Sequence, residues 1–409
     1  SPVRKGDLYD LLAGSHRHLA HVSNREEHSR KGRRVLAGAY SQASLENWEY
    51  IVADRTAALL KQYDRLCKAP EYIPTVHGGS RWDISGEKFG KFINHRYWMI
   101  LFAQDAILQI GLPADLKFLE SGSDVVTTQS MDGKSHTFSY RDVLWRSHLI
   151  QNALVWSPGR FKWLSILTAW HSYWNDGKLH NTLCVALVHR RLTRYKAGDR
   201  LDDFFTYILE DKYGNPNMYP LGEMIAECSI MLNAGSDTTG IALTNVLYWL
   251  LKNPICLDRL RDEVDGTFDE GMVVASYDKV KNLPYLRAYL DESMRLTPPN
   301  TMSVNRLTPS EGIMHRDPEV FADPESFNPD RWLGEKGKDL QPHFITFSVG
   351  ARGCIGRNIT YLEQTVALAS MVHRYEIALP HDNWVLGQQE AFTCSPGDMP
   401  IQIKRRYFQ

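Results

Sequence analysis

The run Phe347-Ser348-Val349-Gly350-Ala351-Arg352-Gly353-Cys354-Ile355-Gly356 places three glycines, an arginine and a cysteine within ten residues. Glycine lets a backbone turn tightly and approach a flat ligand closely. A helical pattern begins near Arg357, so Cys354 stands where free backbone N–H groups and the positive end of a helix dipole favour a thiolate. Arg352 can hold a carboxylate through two parallel bonds, and Phe347 can pack near the sulfur and keep water out. A thiolate presented in this way can ligate a metal. The plainer alternative is a core cysteine beside a glycine turn.

A second group, Ala234-Gly235-Ser236-Asp237-Thr238-Thr239, lies inside the longest helical pattern. Gly235 beside Ser236 weakens a helix and predicts a kink. Thr238 or Thr239 can bond a carbonyl one turn back and bend the helix further. Asp237 and Thr238 then offer an acid and a hydroxyl able to relay protons. Read alone, the same residues fit a polar stripe on a buried helix. Glu292-Ser293-Met294-Arg295 sets opposite charges three apart on one helix face. That spacing is weak by itself, because Glu27-His28-Ser29-Arg30 repeats it in the same chain.

The order F-x-x-G-x-R-x-C-x-G over 347–356 resembles the cysteine-ligand loop of the cytochrome P-450 family, with five fixed positions in one window. Residues 234–239 are similar to that family's (A/G)-G-x-(D/E)-T-(T/S) signature. Phe327-Asn328-Pro329-Asp330-Arg331-Trp332 resembles its meander motif. The resemblance is loose over 20–405 and strong over 220–375. It implies haem b as cofactor, bound through the Cys354 thiolate, whose electron density favours O–O cleavage. It also implies proton relay by Asp237 and Thr238, and a haem-binding loop formed by Phe347, Arg352 and Gly356. Glu292, Arg295 and Arg331 would form a buried triad that holds the haem-binding region and does no chemistry. Arg306 and Arg33 would hold haem propionates. Here the chain departs from pattern, since the position four residues after His28 is Gly32 where the family has arginine.

The same resemblance points to fungal microsomal members, among them aromatic-acid hydroxylases and tailoring enzymes of secondary metabolism. It implies insertion of one atom of O₂ into an apolar or aromatic small molecule, at the cytoplasmic face of the endoplasmic reticulum membrane. Electrons would come from NADPH-cytochrome reductase docking near Arg30, Lys31, Arg33 and Arg34, because no Gly-rich dinucleotide fingerprint occurs in the chain. An acidic partner would be steered to that basic run. A haem-thiolate enzyme that couples, rearranges or dehydrates its substrate is the first alternative. A non-catalytic haem sensor or carrier is the second, and the Asp237-Thr238 pair argues against it. Asn233, Ala234, Met302, Ser303 and Val304 are candidate pocket residues.

These groups need elements to position them. Helical patterns cover 84–111, 141–157, 160–174, 180–195, 255–264, 284–296 and 357–374, and the longest runs from Pro220 to Lys252, ended by Asn253-Pro254. At 1.5 Å per residue that helix would be roughly 50 Å long. Strand signals are few and late, near 375–379 and 400–405, and 306–350 reads as an extended meander. The fold expected is mainly α, a single domain over 1–409 with a long central helix over haem and small β-sheet regions. The family's membrane anchor and first sheet are not recognised before Ser1, and too few residues stand near Gly312-Ile313 for two further strands.

Composition narrows the alternatives. Net charge is −1, with 43% hydrophobic and 23% charged residues, which argues against nucleic acid as partner. The six cysteines form neither a C-x-x-C pair nor a disulfide framework. No uninterrupted apolar run reaches membrane-spanning length.

Overall fold

The computed structural model describes residues 4–5, 16, 19, 27, 29, 36, 38–68, 92–155, 157–211, 213–300, 306–307, 315–390 and 393–406. Helices dominate. The principal ones are α1 Gln42–Lys68, α2 His95–Gly111, α3 Tyr140–Val155, α4 Pro158–Leu167, α5 Ser172–Lys196, α6 Leu221–Lys252, α7 Pro254–Asp265, α8 Pro284–Leu296 and α9 Arg357–Arg374. Helices α6, α8 and α9 match their expected spans within one residue. Proline opens α4, α7 and α8 at the first turn, where its missing N–H costs nothing.

Three expectations need correction. The pattern over 84–111 is helical only from His95, because Ile93–Asn94 pairs as a strand; residues 84–91 lie outside the described residues. The pattern over 160–174 is not one helix: α4 closes at Thr168, and α5 starts afresh at Ser172 with His171 as its cap, accepting a bond from the Tyr173 N–H. Helix α1 is not among the expected elements, although Trp48, Val52, Leu59, Tyr63 and Leu66 repeat at helical spacing and are buried.

The strands are short: β1 Arg4–Lys5, β2 Ile93–Asn94, β3 Val125–Gln129, β4 Ser135–Ser139, β5 Arg306–Leu307, β6 Tyr375–Ala378, β7 Gln388–Glu390, β8 Cys394–Pro396 and β9 Pro400–Arg405. The two late strands expected are β6 and β9. They pair antiparallel, with β2 on the other side of β9, so that Ile93 faces Ile401 and Ile377 faces Ile403. The β3–β4 hairpin, the β7–β8 pair and the β1–β5 pair lacked a sequence signal of alternating apolar residues.

The chain divides into two compact units. One comprises 1–48, 104–236 and 302–310, and in it α3 packs on α5 and the β3–β4 hairpin. The other comprises 49–103, 237–301 and 311–409, and in it α7, α8 and α9 pack together with the β2–β9–β6 sheet. Helix α9 is buried from Tyr361 to Val372, which fixes the segment that follows Cys354.

Candidate active site

The Cys354 loop is held by its own backbone. Ser348 and Gly350 adopt left-handed φ angles of 59° and 66°; for serine that conformation costs on the order of 1 kcal/mol or more. Gly350–Arg352 makes one 3₁₀ turn, Gly353 N–H donates to Gly350 O at 3.0 Å, and Cys354 N–H donates to Phe347 O at 2.7 Å. A Cβ on Gly353 would lie 3.3 Å from the Gly350 carbonyl, whereas the space beside Gly356 is open. Cys354 itself is exposed. Protein is nonetheless dense around the loop, and burial raises the thiol pKa; the N–H groups of Gly356 and Arg357 and the charge of Arg357 oppose it. Exposure decides whether a ligand can reach the sulfur, and a bound cation removes the proton that burial favours. An exposed cysteine, the Gly356 and Arg357 N–H groups beside its thiol and free space at Gly356 suit a flat metal-containing group.

The Phe347 ring packs against Phe344 and Tyr361, with centroids 6.3 and 5.3 Å away, and the Arg357 guanidinium lies 5.5 Å above it. Arg352 is half-buried and desolvation lowers its pKa, a condition that a neighbouring anion would relieve.

Behind the loop, the expected triad is assembled. Glu292 accepts from Arg295 Nε at 2.8 Å and Nη2 at 2.9 Å, and from Arg331 Nε at 3.0 Å. Trp332 Nε1 and the Asn328 N–H complete its carboxylate. Arg295 also donates to the carbonyls of His315 and Pro324, and Arg331 to that of Ala322. Both charges of the central pair are fully buried, yet each is satisfied. The next link is His315, to which the sequence pattern assigns no role. Its Nε2 accepts the Ile345 N–H at 2.9 Å, and burial, with Arg295's charge, lowers its pKa to about 4, which keeps it a neutral acceptor. Thr346 Oγ1 donates to Met294 O at 3.0 Å. Thus α8 grips the strand of chain that enters the Cys354 loop.

The α6 segment departs from expectation. The helix runs unbroken through Gly235-Ser236, and the Ser236 hydroxyl donates to the Leu232 carbonyl one turn back at 2.6 Å. Glycine at 235 has a packing reason: a Cβ there would lie 2.5 Å from Ile107 Cγ1. Asp237 and Thr238 are half-buried. Asp237 Oδ2 accepts from Thr393 Oγ1 at 2.6 Å, and its Oδ1 lies 3.5 Å from Arg96 Nη2, on a side chain only 2% exposed. Thr239 is buried and its hydroxyl faces Thr360 at 3.4 Å. Nearby, Glu363 on α9 is 1% exposed. Neither of its oxygens has a well-formed hydrogen bond, and burial lifts its pKa to about 8 against a partial pull from Thr239. Arg96 and Glu363 were detectable as charges set among apolar residues of α2 and α9, whose other charges are Asp105 and, at the two ends of α9, Arg357 and Arg374. Nothing in the sequence links Thr393 to Asp237.

Other expected residues are placed less fully. Arg306 pairs through its backbone with Lys5 in β1–β5. Arg30, Lys31, Arg33, Arg34, Met302, Ser303 and Val304 lie outside the described residues. Asn233 Nδ2 is 2.9 Å from His148 Nε2.

A family model described as cytochrome P-450 matches residues 4–312 and 306–402. The chain belongs to the cytochrome P-450 family, whose members use haem, O₂, an organic substrate and electrons from a redox partner. It is similar to cytochrome P-450 monooxygenase cicH of Emericella nidulans, 28% identical over 445 aligned positions that cover 99% of this chain and 81% of that protein. Benzoate 4-monooxygenase bphA of Aspergillus niger is 25% identical, with 98% of this chain and 80% of that protein covered. The fold matches the crystal structure of the haem domain of cytochrome P-450DA with TM-score 0.74 at 21% identity, over 99% of this chain and 84% of that one.

Proposed function

We propose that this chain is a haem-thiolate monooxygenase that places one oxygen atom from O₂ into an apolar or aromatic small molecule. The observation that carries the reading is the exposed residue Cys354 at the end of a turn closed by its own N–H. Haem b, when bound, supplies the redox chemistry that activates O₂. Cys354 would hold the iron, with Phe347 and Gly356 shaping the loop, and Arg352 and Arg306 would pair the propionates. Asp237 would take up protons from solvent and pass them through the Thr238 hydroxyl, while Arg96 and Thr393 hold the Asp237 carboxylate in place. The similarity to a benzoate 4-monooxygenase supports an aromatic substrate.

The reduced protein with carbon monoxide should give a long-wavelength Soret band, and Cys354→Ser should abolish it. Turnover with a reductase and labelled O₂ should then put label in product. A histidine-type band, or product free of label, would overturn the reading.

We further infer a membrane-surface location, supplied with electrons by NADPH-cytochrome reductase at the basic run that includes Arg33. Among the described residues no helix is long and apolar enough to cross a membrane. Helix α4 supports surface residence: Trp163, Ile166 and Leu167 stand on it at i, i+3 and i+4 and are 75%, 60% and 72% exposed, and Trp170 in the turn that follows is 80% exposed. Exposed Arg160 and Lys162 flank that stripe and suit anionic headgroups. The two family-model matches overlap at 306–312, and the cicH alignment is longer than the chain's 409 residues, so that relative has residues facing gaps here. This supports one catalytic domain over 1–409 whose correspondence to the family breaks near 312–313.

A further inference from the structure

Two stripes of side chains meet within the unit that holds residues 104–236. On α3, Trp145, His148, Leu149 and Asn152 are all half-buried and stand at i, i+3, i+4 and i+7, so they share one helix face. On α6, Asn233 is half-buried, and Ala234 beside it is exposed although it lies in the middle of a 32-residue helix. The stripes touch where Asn233 Nδ2 donates to His148 Nε2 at 2.9 Å. An amide nitrogen only donates, so His148 is neutral and carries its proton on Nδ1. Asn233 Oδ1 remains an acceptor. Asn152 Oδ1 is shut from solvent and accepts no hydrogen bond from the described residues. The cations of α3 are already matched: Arg141 pairs with Asp142 at 2.9 Å and Arg146 with Asp176 at 2.8 Å.

We propose that this seam is a specificity site for a neutral, hydroxyl-bearing aromatic substrate, whose O–H is bound by His148, Asn152 and Asn233. The proposal rests on the monooxygenase reading and adds the chemistry of the molecule oxidised. A phenol or alcohol donates to an amide oxygen and accepts from an N–H at the same time. A carboxylate only accepts, so it would leave Asn152 Oδ1 without a donor and find both arginines of α3 held by acids. A bare hydrocarbon would bury the same oxygens unpaired, and a site built to bond a hydroxyl rejects the analogue lacking one. Trp145 offers the ring a flat apolar surface, and the small Ala234 side chain leaves it room. Asp237, where the proposed proton relay begins, follows Asn233 by one turn of α6, roughly 6 Å along its axis.

The test measures binding of 2-naphthol, naphthalene and 2-naphthoate to the haem-loaded protein by equilibrium dialysis, with phenol, benzene and benzoate as a smaller set. At neutral pH the naphthol keeps its proton and the naphthoate has lost it. The hydroxyl compound should bind roughly tenfold tighter than its hydrocarbon and carboxylate counterparts. Asn233→Leu, Asn152→Leu and His148→Phe should each erase most of that preference while hydrocarbon binding holds, which also shows that the variant is folded. No preference for the hydroxyl in either set would overturn the proposal, as would a preference that survives in all three variants. Tighter binding of the carboxylates, lost in the same variants, would overturn it in favour of an acid site. Affinity is read without turnover, so a failure to insert oxygen would strike the monooxygenase reading and leave these ratios standing.

Discussion

The two regions proposed to flank the haem are built on opposite terms. Behind Cys354, Glu292, Arg295, Arg331, Trp332 and His315 form a network in which the buried carboxylate and the carbonyls around it are satisfied. Across α6, Glu363 is buried with neither oxygen well bonded, and Asp237 keeps a 23% exposed side chain tied to Arg96 and Thr393. A saturated network fixes geometry and holds its charges constant. A poorly solvated acid changes charge readily, which suits a region where protons move. The contrast separates holding from relaying.

The largest expected effect lies on the holding side. Glu292→Gln removes the charge that two guanidinium groups share and leaves Arg295 buried without a counter-ion. The cost should be roughly 3–5 kcal/mol, read as a lower denaturation midpoint together with loss of haem uptake. If Glu292→Gln unfolds like the parent protein, the network is not what fixes this region.

Next comes Glu363, where the sign runs the other way. Its folded pKa, about 8, lies above the ordinary 4.5. Stability from this group is therefore complete below 4.5, declines as pH rises, and is lost through about 8. The total should be on the order of a few kcal/mol. Denaturation across that window should show the decline in the parent and a flatter profile in Glu363→Gln. Equal slopes in both would remove Glu363 from the comparison.

His315 tests the link between network and loop. His315→Ala strands the Ile345 N–H, at about 1–3 kcal/mol. The parent carries the opposite pH signature to Glu363: the folded pKa of His315 is lowered from 6.5 to about 4, so its contribution is present above 6.5 and lost as pH falls through 4. Acid denaturation should be shallower in His315→Ala, and an unchanged acid limb would deny the imidazole this role.

Why one region was more legible than the other follows from the same contrast. The Cys354 loop is a local object whose glycines, cysteine and arginine fall within ten residues, and α8 and α9 have spans set by proline, periodicity and the loop before them. Of the network behind it, Glu292, Arg295 and Arg331 could be named because the E-x-x-R spacing and residues 327–332 resemble family motifs; their charges alone do not stand out, since α8 also holds Arg287 and Asp291. His315 escaped because its function is set by a fold in the meander. On α6 the local signals misled: Gly235 reads as a weak point but is a packing requirement against Ile107, and the bend expected there is an unbroken helix. The partners of Asp237 come from 156 residues away in one direction, at Thr393, and from α2 in the other. Pairings of that range leave no trace in periodicity or composition.

The smallest expected change in stability belongs to Thr238, and it discriminates most sharply between the two roles. Thr238 is half-buried on α6, and loss of one such hydroxyl in Thr238→Ala should cost about 1 kcal/mol. Its effect should fall on chemistry: with the hydroxyl gone, protons from Asp237 arrive less selectively, and more of the NADPH consumed should emerge as peroxide and less as product. The ratio of product to NADPH oxidised, measured beside peroxide release, reads this directly. A holding residue would behave in reverse, losing haem or stability while each remaining active molecule stayed coupled. Unchanged coupling in Thr238→Ala would move the relay elsewhere on this face, with Thr239 and Glu363 the next groups to test.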